Sequence, residues 1–153
     1  MKENQKMLKH KWLILISLVL MATLLPLNGL VAASPSTVTI KATDPNAAET
    51  LPTQAPDTGT FTVYRSPATS AVALTVYYAV SGTATNGVDY VTLTGKVTIP
   101  AGADSATIVV TPIDDNLREG IEKVTATLIP CPAGGCYIIG APNSATVSIA
   151  DND

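Results

Sequence analysis

The 153 residues carry nine Lys and Arg against twelve Asp and Glu, for a net charge of −3. That is enough chain for one domain, and an acidic chain offers no electrostatic footprint for nucleic acid. The single histidine, His10, lies near the N-terminus. A Ser-His or Cys-His nucleophile, or a histidine-ligated zinc, therefore has nothing to build on beyond that segment.

The N-terminal segment reads as an address rather than as fold. Lys2, Lys6, Lys9 and Lys11 face one acid, Glu3, and an apolar run follows from Trp12 to Leu25 with Ser17 and Thr23 as its polar breaks. Pro26, Gly29 and the small residues Val31-Ala32-Ala33 come next. Basic, apolar, then small is the order of a secretory leader, and the expected cleavage follows Ala33. A retained membrane anchor is the alternative. The run spans about 14 residues, short of the roughly 20 that cross a bilayer. Residues 1–33 are thus expected to be a signal peptide and residues 34–153 a single domain. Export would leave the protein secreted, periplasmic or on the cell surface, with a membrane involved only in passage. The mature chain would keep eleven acids and five bases, a net charge of −6 (12 − 1 acids, 9 − 4 bases).

From Ser34 onward the pattern has period two. Val38 and Ile40 alternate with threonines and Lys41, and Phe61 and Val63 alternate with Thr60, Thr62 and Tyr64. Leu74, Val76, Tyr78 and Val80 follow, then Val97 and Ile99, then Ala106, Ile108 and Val110. Val124, Ala126 and Leu128 make the sixth run; Ala145, Val147 and Ile149 make the seventh. Such runs are half-buried strands. Seven of them between turn-rich segments predict an all-β, two-layer antiparallel sandwich.

In such a sandwich the connections alternate between two poles. The first-to-second connection carries Glu49, the third-to-fourth Asp89, and the fifth-to-sixth Asp114, Asp115, Glu119 and Glu122; Asp151 and Asp153 follow the seventh strand. All are odd-numbered exits, so all eight acids are expected at one pole. Close carboxylates repel, and a bound cation resolves the repulsion. Hard divalent ions take oxygen ligands, and Ca2+ takes six to eight. Eight acids suit two or more Ca2+ ions, with the Leu117 carbonyl as a backbone ligand. An EF-hand is excluded, because Arg118 would fall on a ligand position.

Cys131 and Cys136 flank Pro132-Ala133-Gly134-Gly135 before the last strand. In an exported protein a disulfide is expected across so short a loop, free thiols being the alternative. By the same parity it sits at the pole opposite the acids.

Five motifs in order resemble the Calx-beta domain family. They are Thr60-Phe61-Thr62-Val63-Tyr64-Arg65; Gly82-Thr83-Ala84 through Val88-Asp89-Tyr90; Ile99-Pro100-Ala101-Gly102; Pro112-Ile113-Asp114-Asp115 with Glu119-Gly120-Ile121-Glu122; and Ala150-Asp151-Asn152-Asp153. The resemblance spans residues 37–153. It implies a seven-stranded immunoglobulin-like sandwich, as in bacterial surface proteins and the calcium-sensing modules of sodium–calcium exchangers. It also implies Ca2+ ligands at Glu49, Asp89, Asp114, Asp115, Glu119, Glu122, Asp151 and Asp153. Asn152 stands where calcium-sensing members have a third aspartate, so it keeps a carbonyl oxygen and loses a charge.

The expected function is that of an exported calcium-binding module rather than an enzyme. The alternative is a structural or adhesive surface domain, binding other cell-surface or extracellular proteins, in which metal is incidental.

Overall fold

A computed structural model describes residues 35–67 and 71–153; the expected leader lies outside the described residues. Nine strands form: β1 (Ser36–Asp44), β2 (Asn46–Ala48), β3 (Gly59–Ser66), β4 (Leu74–Gly82), β5 (Lys96–Ile99), β6 (Ser105–Val110), β7 (Glu122–Ile129), β8 (Tyr137–Ile139) and β9 (Ser144–Ala150). They make two sheets, one ordered β6-β3-β1-β8 and the other β2-β9-β7-β4-β5. The inward-facing residues are those whose alternation defined the strands: Val38, Ile40, Phe61, Val63, Val76, Ile99, Val110, Val124 and Val147 are all fully buried. Burying each such side chain contributes about 1.5–3 kcal/mol, which makes this shared layer the main source of stability.

Two features correct the expectation of seven antiparallel strands. β2 and β8 are additional, and both pair in parallel, β2 with β9 and β8 with β1. The first and last strand paths run side by side, and each is divided between the two sheets. β1 belongs to the first sheet; beyond Pro45, whose carbonyl accepts Ser148 N–H (2.8 Å), the chain re-pairs in the second sheet as β2. β8 likewise gives way at Gly140-Ala141-Pro142 to β9 in the second sheet. Both are interruptions where proline cannot donate to a ladder. Three-residue strands lie below the reach of a periodicity argument, so the sequence did not show them. Because β2 continues the direction of β1, and β9 that of β8, the number of strand paths stays at seven. The assignment of loops to poles is unaltered.

Ser34–Asp153 is one compact unit, and its core is drawn wholly from residues between Val38 and Ile149. At the pole away from the acids, the Cys131–Cys136 disulfide is formed (Cα–Cα 5.9 Å). Beside it the Tyr137 hydroxyl donates to the Ile129 carbonyl (2.6 Å) and accepts Tyr77 N–H (3.0 Å). Arg65, only 4% exposed, directs its guanidinium at three loop carbonyls: Ala103 (2.8 Å), Val72 (2.7 Å) and Pro100 (3.0 Å). Buried charge is tolerated there because the donors meet acceptors.

Candidate metal centre

Four strand exits deliver the acids. At the end of β2, Glu49 N–H donates to the Ala150 carbonyl (2.9 Å), which sets Glu49 beside the final residues. After β4, the Asp89 carbonyl accepts Ile113 N–H and Val91 N–H donates to Thr111 (both 2.9 Å), which ties the Asp89 turn to the segment leading into Asp114. The exit of β4 depends on Gly82 (φ 138°), where any side chain would collide with the Lys123 carbonyl. Here the backbones of β4 and β7 approach too closely for anything but glycine.

The terminal turn is organised around Asp151. Its Oδ2 accepts the N–H groups of Glu119 and Gly120 (2.8 Å each), and its Oδ1 accepts Asp153 N–H (2.9 Å). Gly120 takes φ 73°, a left-handed conformation that suits glycine and turns its amide to the acid. These backbone donors hold the Asp151 carboxyl below its ordinary pKa, and Arg118 adds to the effect. Asn152 Nδ2 donates to Asp114 Oδ1 (2.7 Å), Leu117 N–H donates to Asp115 Oδ1 (2.6 Å), and Arg118 Nε reaches the Asp153 carbonyl (3.3 Å). Asp89, itself buried, accepts Thr85 N–H at Oδ2 (2.5 Å).

Six of the eight acids fall into two triads, Glu49–Asp151–Asp153 and Asp89–Glu119–Glu122. Within each, one carboxylate oxygen per residue lies within 4.8 Å of the others. Two ligands on one Ca2+ at about 2.4 Å stand at most about 4.8 Å apart, so each triad spans what one ion spans. Asp114 and Asp115 lie outside both triads, yet close enough to act on Glu49. Burial raises the Glu49 carboxyl, and the charges of Asp151, Asp115, Asp114 and Glu119 raise it further. Glu122 is pushed up to about 7, first by burial, then by the charge of Asp89 and a hydrogen bond to it, and by Glu119 and Glu49. Glu119 is raised by desolvation and by the charges of Asp89, Asp115 and Asp151. The Leu117 side chain is 60% exposed.

One atom tests whether a cation fits. Glu49 is 8% exposed, and its Oε2 is buried with no hydrogen-bond partner among the described residues. A carboxylate oxygen held out of water without a donor is costly unless a positive charge meets it. The donor set is all oxygen, as a hard divalent ion requires. The residues fit the group. Sequence reasoning did not see that Glu49 is buried or that Asp151 serves as acceptor for the opposite loop. The only sequence signal for the latter was Gly120 directly after Glu119.

A family profile for the Calx-beta domain matches residues 53–153, and the chain belongs to that family. Among solved structures it is similar to the apo form of the Calx CBD1 domain, at 25% identity and TM-score 0.55, over 76% of this chain and 98% of that one. It is also similar to the structure described as calcium binding domain CBD12 of CALX1.1 (25% identity, TM-score 0.54, 74% of this chain and 44% of that one). The Calx CBD2 domain, at 14% identity and TM-score 0.53, over 76% of this chain and 87% of that one, shares the fold. No curated protein sequence matches it.

Proposed function

We propose that this chain is an exported calcium-binding Calx-beta module in which Ca2+, held by the clustered carboxylates, orders and stiffens the loops of one pole. The observation that carries the reading is the buried Glu49 Oε2, without a hydrogen-bond partner among the described residues, inside a triad of one-ion dimensions. Glu49, Asp151 and Asp153 would hold one ion and Asp89, Glu119 and Glu122 another, with Asp114 and Asp115 close enough to bridge. Bound Ca2+ supplies positive charge and oxygen coordination; the protein supplies loops already drawn together by Asp151. The similarity to a solved domain described as calcium binding supports the same reading. The work of such a site is binding rather than catalysis.

Export is part of the proposal. The leader-like residues 1–33 and the Cys131–Cys136 disulfide both suit an oxidising, calcium-rich compartment outside the cytosol. There, extracellular modules bind Ca2+ at about 0.1–1 mM.

Thermal unfolding of residues 34–153 in EDTA, in about 2 mM Ca2+ and in equal Mg2+ tests the reading. Each ion bound only by the folded state stabilises it by about 0.6–2 kcal/mol under these conditions. The expected result is a melting temperature several degrees higher in Ca2+ than in EDTA, and a much smaller rise in Mg2+. Identical melts in EDTA and Ca2+ would refute the proposal. N-terminal sequencing of the exported protein checks cleavage after Ala33.

A further inference from the structure

Four strands end the two sheets, and three of them are guarded. β2 and β8 are three residues long, one following Pro45 and the other lying between Cys136 and Gly140. β5 is four residues and carries Lys96. Short strands, proline and lysine are the usual means by which an edge is kept from pairing with another chain.

β6 has none of them. Its six residues, Ser-Ala-Thr-Ile-Val-Val, contain no charge and no proline, and pair with β3 in unbroken register from Gly59–Val110 to Tyr64–Ser105. Arg65 N–H donates to the Asp104 carbonyl (2.8 Å), which fixes the phase of the ladder. Asp104, Ala106, Ile108 and Val110 therefore bond inward to β3, and the backbone groups of Ser105, Thr107 and Val109 point away from the sheet. Among the described residues nothing pairs with that side; the next contact, Val91 N–H to the Thr111 carbonyl, lies beyond the strand. Thr107 and Val109 are exposed.

We propose that β6 is a self-association edge, pairing antiparallel with β6 of a second copy about a twofold axis through Thr107. The uncharged strand is self-complementary: Thr107 faces Thr107, and Ser105 faces Val109 in both directions. About six backbone hydrogen bonds form across such a pair. Charge selects the orientation. β6 runs toward the acidic pole, since Val110 leads into Asp114 and Asp115. Antiparallel pairing sends the two acidic poles to opposite ends of the dimer, whereas a parallel partner would set eight acids beside eight. The result joins two sheets into one of eight strands and leaves both acidic poles open.

The test is the mass of residues 34–153 in solution by sedimentation and light scattering from about 1 to 200 µM, in EDTA. A dimer is expected. Thr107→Lys sets like charges face to face on the axis, and should give a monomer whose melting temperature, measured at dilution, stays within about 2 °C of the parent. Thr107→Cys brings two thiols opposite each other at a separation a disulfide spans, so oxidation should yield a covalent dimer. A parent monomeric throughout the range overturns the proposal. So does a dimer that Thr107→Lys leaves intact, or one that Thr107→Cys fails to cross-link. A monomer that takes an extended peptide along β6 would assign the edge to another partner, and would equally overturn self-pairing.

Discussion

The two poles of the sandwich are held by different physics. At one, a covalent Cys131–Cys136 link, the Tyr137 hydroxyl and the Arg65 guanidinium close the loops with groups the chain supplies itself. At the other, eight carboxylates meet, and Arg118 and Lys123 are the bases in the adjoining segments. Backbone amides shape that pole through Asp151, but among the described residues none reaches Glu49 Oε2, and burial together with neighbouring carboxylate charge raises Glu49, Glu119 and Glu122. One pole is complete as folded. The other gathers six of its carboxylates into two triads.

The contrast can be broken by changing each pole and asking whether Ca2+ matters. Asp114→Asn with Asp115→Asn should remove most of the Ca2+-dependent stabilisation, up to about 4 kcal/mol if two ions bind. In EDTA the same variant should melt slightly higher than the parent, because repulsion around Glu49 is relieved. Calorimetric titration and paired melts would show both signs, and an unchanged Ca2+ response would remove these two acids from the site.

At the closed pole, Arg65→Ala strands loop carbonyls and should cost about 3 kcal/mol equally with and without Ca2+, read from denaturant unfolding. A cost confined to one metal condition would mean the poles are coupled. Replacing Cys131 and Cys136 by serine should cost about 2 kcal/mol in the chain-entropy picture, again independent of metal.

The most diagnostic effect is that of pH. Glu122 titrates near 7 in the folded state against 4.5 ordinarily, so between these values the folded protein holds the extra proton. Metal-free stability should therefore fall as pH rises from about 5 to 7.5, with Glu49 and Glu119 acting in the same direction. Asp151 acts oppositely, but only as pH falls below its ordinary 3.8. In Ca2+ the trend should reverse, because the ligands must ionise to hold the ion. Melts across this range in EDTA and in Ca2+ would show whether the slope changes sign.

Much of this architecture was legible in the residues. Alternation from Val38 to Ile149 marked the seven strand paths, and the count of exits placed Glu49, Asp89, Asp114 to Glu122, and Asp151 with Asp153 at one pole. Both are local properties: a period of two needs only neighbouring residues, and parity needs only the number of reversals. The division of two paths between both sheets was not legible, because Asn46–Ala48 and Tyr137–Ile139 are too short to carry a period. Nor was the sorting of acids. That Glu49 joins Asp151 and Asp153 while Asp89 joins Glu119 and Glu122 depends on loop-to-loop hydrogen bonds between residues more than thirty apart, such as Glu119 to Asp151. Sequence by itself determined which residues are charged and which end of the sandwich they reach. Tertiary packing alone decided which carboxylates share a site and which two, Glu49 and Asp89, are buried, because burial and convergence are properties of the assembled loops.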